Sequence, residues 1–204
     1  MNATLSDTAV QQNQAPDPFE LFSAWLKEAE ASEPRDANAM TLATVDSVGM
    51  PDARTLLLKG HDTRGFVFYT NLESDKALAL TAQPRAAMLF FWKSLGRQIR
   101  IRGTITHVDD AEADAYFASR PRGSQIGAWA SDQSRPAPDR AALEARVKER
   151  EAEFPGVVPR PPHWSGFRLS PVQFEFWMDG ESRLHNRFVY RKVGDGWRVM
   201  RLYP

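Results

Sequence analysis

Residues Arg97–His107 read RQIRIRGTITH, and that pattern restricts the fold more than any other stretch of the chain. Ile99, Ile101 and Ile105 fall on one side of a period of two; Gln98, Arg100, Arg102, Thr104 and Thr106 fall on the other. Such a strand buries one face only, which suits an antiparallel sheet curled over a core. Further segments rich in apolar, β-branched or aromatic residues precede it: Met40–Val45, Ala53–Leu58, Phe66–Thr70 and Ala86–Trp92. Turn signals, Ser47-Val48-Gly49 and Asp62-Thr63-Arg64-Gly65, separate several of them. Strands return at Gly166–Leu169, Gln173–Trp177, Arg187–Arg191 and Trp197–Leu202. Short connections favour antiparallel pairing, so the expected class is α+β: an antiparallel barrel with peripheral helices.

Helices frame the strands. Asp17 is placed to cap a helix with Pro18 in its first position and Glu20 completing a capping-box pattern. Phe19, Phe22, Trp25, Leu26 and Ala29 then give it one apolar stripe. Helices are also expected near Asp109–Ser119 and Asp139–Phe154, the charge run Glu144–Glu153 forming a solvated face of the second. Residues 1–16 lack apolar periodicity and are expected to be disordered, ahead of a single domain over 17–204. The Pro-rich stretch Pro155–Pro162 reads as a rigid surface connection inside that domain.

Composition removes several classes of function. Lys+Arg and Asp+Glu number 26 each, which argues against bulk electrostatic binding of nucleic acid. An anion site must then be built from a few placed cations. The chain has no cysteine, so thiolate chemistry and Cys-ligated metals are excluded. No secretory signal and no membrane-spanning run is visible, and a cytoplasmic location is expected. No glycine-rich nucleotide motif occurs, and His61, His107 and His163 lack metal-site spacing.

Three segments carry candidate chemistry. In the first, if Arg183–Arg187 is extended, Arg183, His185 and Arg187 share one face near Trp177. That face is either a solvated cationic surface or a pocket for an electron-rich aromatic ligand. In Arg54–Lys59, a cation stands at each end of an apolar strand; strict alternation sends them to opposite faces, so a bend or two ligands is required. In the third, Tyr116 and Arg120 are helical neighbours, and Pro121 and Gly123 then break the helix. Arg120, Ser124 and turn N–H groups form either a phosphate cradle or an ordinary helix end.

Together these segments resemble the pyridoxamine 5′-phosphate oxidase family from about Asp17 to Pro204. The matches are RTLLLK (Arg54–Lys59), FYTN (Phe68–Asn71), YFxSRPRxSQIGAW (Tyr116–Trp129), QS (Gln133–Ser134) and FWxxGExRLHxR (Phe176–Arg187). The resemblance implies an FMN-binding split β-barrel and a homodimer with FMN at its interface. It implies oxidation of pyridoxamine or pyridoxine 5′-phosphate to pyridoxal 5′-phosphate, with O2 reduced to H2O2, in vitamin B6 metabolism. Carried over by residue, FMN would meet Arg54, Thr55, Leu56, Leu57, Leu58, Lys59, Tyr69, Thr70, Asp75, Lys76, Gln98, Gln133, Ser134, Trp177 and Arg187. Substrate would meet Lys59, Tyr116, Arg120, Ser124, Arg183, Leu184 and His185, with Arg183 and His185 over its reacting face.

The chain departs from the family pattern in places. Asp75 precedes Lys76 where many members have two basic residues, so weaker FMN binding is expected, unless Asp75 serves as a helix cap. Residues 1–16 hold no Arg, Lys or Tyr, so a lid contact made by some relatives is expected to be missing. Asn186 replaces an Asp often found between the His and the last Arg. Two other readings compete: another flavin split-barrel oxidoreductase, and a non-catalytic carrier of FMN or pyridoxal phosphate.

Overall fold

A computed structural model describes residues 15–204. The expectation of disorder therefore lies outside the described residues for positions 1–14. Helix α1 (Pro18–Ser32) starts where its sequence dictates: the Asp17 carboxylate accepts the N–H groups of Phe19 (2.8 Å) and Glu20 (3.4 Å). The chain then runs through β1 (Ala39–Val45), β2 (Pro51–Leu57), β3 (Gly60–Asp62) and β4 (Gly65–Asn71). Next come α2 (Asp75–Ala82), β5 (Arg85–Trp92), β6 (Arg97–His107), α3 (Asp110–Ser119), α4 (Arg122–Ala130) and α5 (Arg140–Glu153). The final elements are β7 (Trp164–Met178), β8 (Asn186–Val193) and β9 (Gly196–Leu202).

Among the described residues all strand pairings are antiparallel, in the order β2-β1-β5-β6-β7-β4-β3, with β8 and β9 branching from β7. The two ends of that path, β2 and β3, are consecutive in the chain. Leu58 and Lys59 join them: the Leu58 N–H still bonds Asn38 beside β1, and the Lys59 N–H already bonds Val67 of β4. This short link draws the sheet round into a split barrel. It also supplies the bend that the two cations of Arg54–Lys59 require.

The longest strand organises the split. β7 pairs with β6 along its length, with β4 through its first half and with β8 through its second. The sequence suggests two strands here, interrupted at Ser170-Pro171-Val172. The structure has one, with a register shift between Arg102 and Gly103 on the facing strand. Proline is tolerated at such a bulge because no ladder N–H is needed from it. Gly103 is required there, since a Cβ would stand 2.2 Å from the Ser170 carbonyl oxygen.

Helix α1 seals the main core. Phe22 meets Phe66 and Phe90 edge-on at 4.8 and 5.1 Å, and Trp25 meets Phe176 at 5.2 Å. A second, smaller cluster of Phe117, Ile126, Val158 and Trp164 packs α3 and α4 outside the barrel. It is this cluster that shapes the candidate site. The charged helix α5 buries no residue completely and pairs Arg140 with Glu144 and Arg150 with Glu153, as a solvated face should. The Pro-rich connection is more firmly held than its composition suggests: Val158 is buried, and Trp129 Nε1 donates to the Pro159 carbonyl. Among the described residues no helix is long and apolar enough to cross a membrane.

Candidate active site

An open cavity of about 360 Å³ lies between β4, the start of β7 and α4. Leu56, Tyr69, Thr70, Arg120, Ser124, Gln133 and Trp164 line it. The sequence predicts all of these as site residues except Trp164, and assigns them to two ligands; the fold brings them to one cavity.

One wall is polar, formed by Thr70 and Gln133, and a cationic group lies behind it. Lys76 is buried, and its Nζ donates to Thr70 Oγ1 (3.1 Å), Ser74 Oγ (3.1 Å) and Gln133 Oε1 (3.0 Å). Burial, then the nearby Arg54 guanidinium, holds the Lys76 ammonium below its ordinary pKa, with Asp75 opposing. Arg54 is itself aimed by the Leu42 carbonyl (3.2 Å) and Thr44 Oγ1 (2.8 Å), and it pairs with Asp52. Two cations thus share a small region whose direct partners for Lys76 are neutral. An anion fits that donor set.

Asp75 is not the cap of α2; Ser74 holds that position and Asp75 is the first helical residue. The Asp75 N–H donates to Ser134 Oγ at 3.3 Å, and its carboxylate faces Arg135 at 3.2 Å. Ser134 reaches this contact from a left-handed backbone, φ 71°. The negative charge beside Lys76 is therefore matched by a residue absent from the predicted set.

The opposite wall is aromatic. Tyr69 stacks on Tyr116 (4.1 Å, 14°) and on Trp164 (5.3 Å, 4°). Tyr69 is opposite Gly166 in the β4–β7 register, where a Cβ would come within 2.7 Å of the tyrosine ring. Burial raises the Tyr69 phenol to about 12, so it stays protonated at neutral pH. Arg120 lies over Trp164 with its Cζ 4.7 Å from the ring centroid, and its NH1 is buried without a hydrogen-bond partner among the described residues.

The segment 120–124 departs from the expected turn. Arg120 is the extended residue that ends α3, Pro121 caps α4, and Ser124 lies in the first turn of that nine-residue helix. Pro121 therefore starts a helix instead of only ending one. Lys59, by contrast, is exposed at the barrel closure and does not line the cavity.

The remaining predicted residues form a second group. Gln98, Trp177 and Arg187 are direct cross-strand partners on β6, β7 and β8. Arg187 gives Nε and NH2 to Glu175 Oε1 (2.9 and 2.7 Å) and NH1 to the Tyr203 carbonyl (3.0 Å). Glu175 is buried and also takes Arg100. His185 packs on Trp177 at 4.7 Å, with its Nδ1 3.3 Å from the Gly180 N–H and 3.0 Å from Asp179 Oδ1.

The expectation that Arg183, His185 and Arg187 share one strand face is overturned. Glu181–Arg183 is a tight 3₁₀ turn, Ser182 and Arg183 have φ of 55° and 65°, and β8 begins only at Asn186. Two consecutive left-handed residues are costly, and the turn separates Arg183 from the strand. Leu184 is 70 % exposed beside His185. This group sits at the opposite end of β7 from Trp164 and the cavity.

His61 packs against Phe22 and Phe66 with Ser23 Oγ at 2.9 Å, and His163 Nε2 lies 3.0 Å from the Ala128 carbonyl. Both act in packing, and no group of three metal-ligating side chains occurs among the described residues.

The antiparallel split barrel with a polar and aromatic cavity beside it defines the split-barrel class of folds, and comparison with known proteins narrows it. Residues 26–153 match the family described as pyridoxamine 5′-phosphate oxidase, and 164–204 match a pyridoxine 5′-phosphate oxidase C-terminal dimerisation region. A pyridoxine/pyridoxamine 5′-phosphate oxidase of Caulobacter vibrioides is 62 % identical over 189 residues, covering 92 % of this chain and 85 % of the relative. One of Azorhizobium caulinodans is 63 % identical over 193 residues, covering 93 % and 91 %. Among solved structures, PhzG of Burkholderia lata, in complex with tetrahydrophenazine-1-carboxylic acid, aligns over 100 % of both chains with a TM-score of 0.90 at 32 % identity. The chain belongs to the pyridoxamine 5′-phosphate oxidase family and is an oxidoreductase of pyridoxal phosphate metabolism.

Proposed function

We propose that the protein oxidises pyridoxine 5′-phosphate and pyridoxamine 5′-phosphate to pyridoxal 5′-phosphate, with FMN as cofactor and O2 as final acceptor. The observation that carries this reading is a cavity with two separate cationic groups at hand: Arg120 in its lining, and the buried Lys76, with Arg54 nearby, hydrogen-bonded to the lining residues Thr70 and Gln133. Two phosphate-bearing ligands held side by side need such a pair. FMN, when bound, supplies the two-electron acceptor that no side chain of this chain can provide.

Lys76, Arg54, Thr70, Gln133 and Ser134 would hold the anionic end of the cofactor. Arg120 and Ser124 would hold the substrate phosphate, and Tyr69, stacked and protonated, would wall the cavity from water. Gln98, Trp177, His185 and Arg187 lie at the far end of β7, within the stretch that matches a dimerisation region or paired to it. We place them at the same site through a homodimer, with FMN at the subunit interface and residues 17–204 acting as one domain. Arg183 and His185 would then orient the pyridine ring.

The reaction balances. The alcohol loses two electrons and two protons to become the aldehyde, and O2 takes both to become H2O2. The amine does the same, with water entering and ammonia leaving. A substrate without phosphate, as the PhzG ligand suggests for that relative, is less favoured here. The vitamin B6 relatives are nearly twice as similar, at 62 against 32 %.

Two variants test the assignment. Lys76→Met should weaken FMN about 10- to 100-fold, the loss of one charge-assisted phosphate contact. Arg120→Met should raise KM for pyridoxine 5′-phosphate by a similar factor and leave FMN affinity alone. Equal effects of each variant on both ligands would contradict the two-anion reading.

A further inference from the structure

Arg120 is held by ring faces. Its Cζ lies 4.7 Å from the Trp164 centroid and 5.5 Å from that of Phe117. It makes no ion pair with a carboxylate among the described residues. Arg160 and Arg168 behave differently: Arg160 pairs with Asp110 and Asp114, and Arg168 with Glu112 and Asp62, while Arg122 gives its guanidinium to the Phe154 and Gly156 carbonyls.

The rings that hold Arg120 are themselves fixed. Trp164 is 5 % exposed, stacks on Tyr69 and meets Phe117 edge-on at 5.0 Å. Its backbone is pinned on both sides, the N–H to the Pro161 carbonyl at 3.0 Å and the carbonyl by Arg160 NH1 at 2.9 Å.

Stacking and ion pairing leave a guanidinium in different states. A carboxylate occupies one edge of the fork and cancels the charge, which repels a second anion. A ring face touches only the flat of the group, so the N–H edges stay free in their own plane. A guanidinium held this way meets an incoming phosphate with its charge uncancelled.

We propose that Trp164, supported by Phe117, is a positioning residue that sets the preference for phosphorylated over unphosphorylated substrate, by holding Arg120 at the cavity against its ring and without a carboxylate partner. The inference rests on Arg120 being the substrate-phosphate contact.

The test compares Trp164→Leu, Trp164→Phe and Arg120→Met in the FMN-loaded protein. Pyridoxine 5′-phosphate and pyridoxine are the substrates, and inorganic phosphate is a competitive inhibitor. Trp164→Leu should raise KM for the phosphate ester about five- to tenfold. That rise should exceed any fall in kcat, and inorganic phosphate should lose potency in parallel. KM for pyridoxine and the affinity for FMN should stay within about twofold, as expected when only the phosphate contact is disturbed. Trp164→Phe, which keeps a ring face, should recover most of the loss. If Trp164→Leu fails to fold, Phe117→Leu carries the test, raising KM for the ester selectively while Trp164→Phe stays near the parent. Equal losses for both substrates, or no change in either, overturn the role of Trp164. An unchanged KM in Arg120→Met instead overturns the phosphate assignment beneath it.

Discussion

The Asp75 carboxylate stands 3.2 Å from the Arg135 guanidinium, so the acidic residue beside the buried Lys76 is not a bare charge. Arg135 NH2 also donates to the Glu73 carbonyl at 2.8 Å, which fastens the Gln133–Arg135 loop to the start of α2. The pair explains how a sequence with Asp at this position can keep an anion site.

Arg135→Ala should therefore weaken FMN binding, by no more than about three- to fivefold because both partners are half exposed. Adding Asp75→Asn should restore the affinity. Flavin fluorescence quenching measures both; an Arg135→Ala protein that binds FMN like the parent contradicts the compensation.

Glu175 is buried between Arg100 and Arg187 and sits two residues along β7 from Trp177, on the same face of the strand. Glu175→Gln leaves two guanidinium groups facing a neutral amide. Stability should drop by about 2–3 kcal/mol, below the full cost of an uncompensated buried charge because the arginines are partly solvated. A thermal melt unchanged from the parent would show that solvent already screens the pair.

Gly166 lets the Tyr69 ring lie against the β7 backbone. Gly166→Ala should cost about 1–3 kcal/mol, the usual penalty for overpacking. It should also raise KM for the phosphate ester, because the ring that must move belongs to the Trp164 stack. Melting and steady-state kinetics read the two effects together; wild-type values in both would remove Tyr69 from the cavity wall.

His61 gives the fold a mild sensitivity to acid. Burial between Phe22 and Phe66 lowers its pKa from the ordinary 6.5, with Asp62 and Glu30 opposing. The unfolded chain then binds the proton more readily, so stability is fully present above pH 6.5 and declines as pH falls through the lowered value. His61→Gln should flatten the pH dependence of Tm over that window. A slope identical to the parent's would assign the acid sensitivity elsewhere.

Much of this was legible in the residues themselves. The alternation of Arg97–His107, the cap at Asp17 and the charge run Glu144–Glu153 correspond to β6, α1 and α5, because local periodicity and capping act within a few residues. The single strand β7 was not, since Pro171 reads as a break until Gly103 on the neighbouring strand supplies a bulge. Helix α4 was hidden by Pro121 and Gly123, though Pro before a run with Ile126 and Ala130 on one side is also a helix start. At the site, the motifs named Thr70, Lys76, Arg120 and Gln133. Trp164, Arg135 and Glu175 escaped notice because their roles come from partners distant in sequence. Arg183 was misplaced because period two was extended through a turn whose left-handed residues, Ser182 and Arg183, are not glycines.

The most direct measurement of the central claim is turnover of pyridoxine 5′-phosphate by the FMN-loaded protein in air, following aldehyde and peroxide together. Equal amounts of pyridoxal 5′-phosphate and H2O2, with little turnover of unphosphorylated pyridoxine, are predicted. A yellow protein that binds the ester but releases neither product would contradict the oxidase reading and leave a carrier in its place.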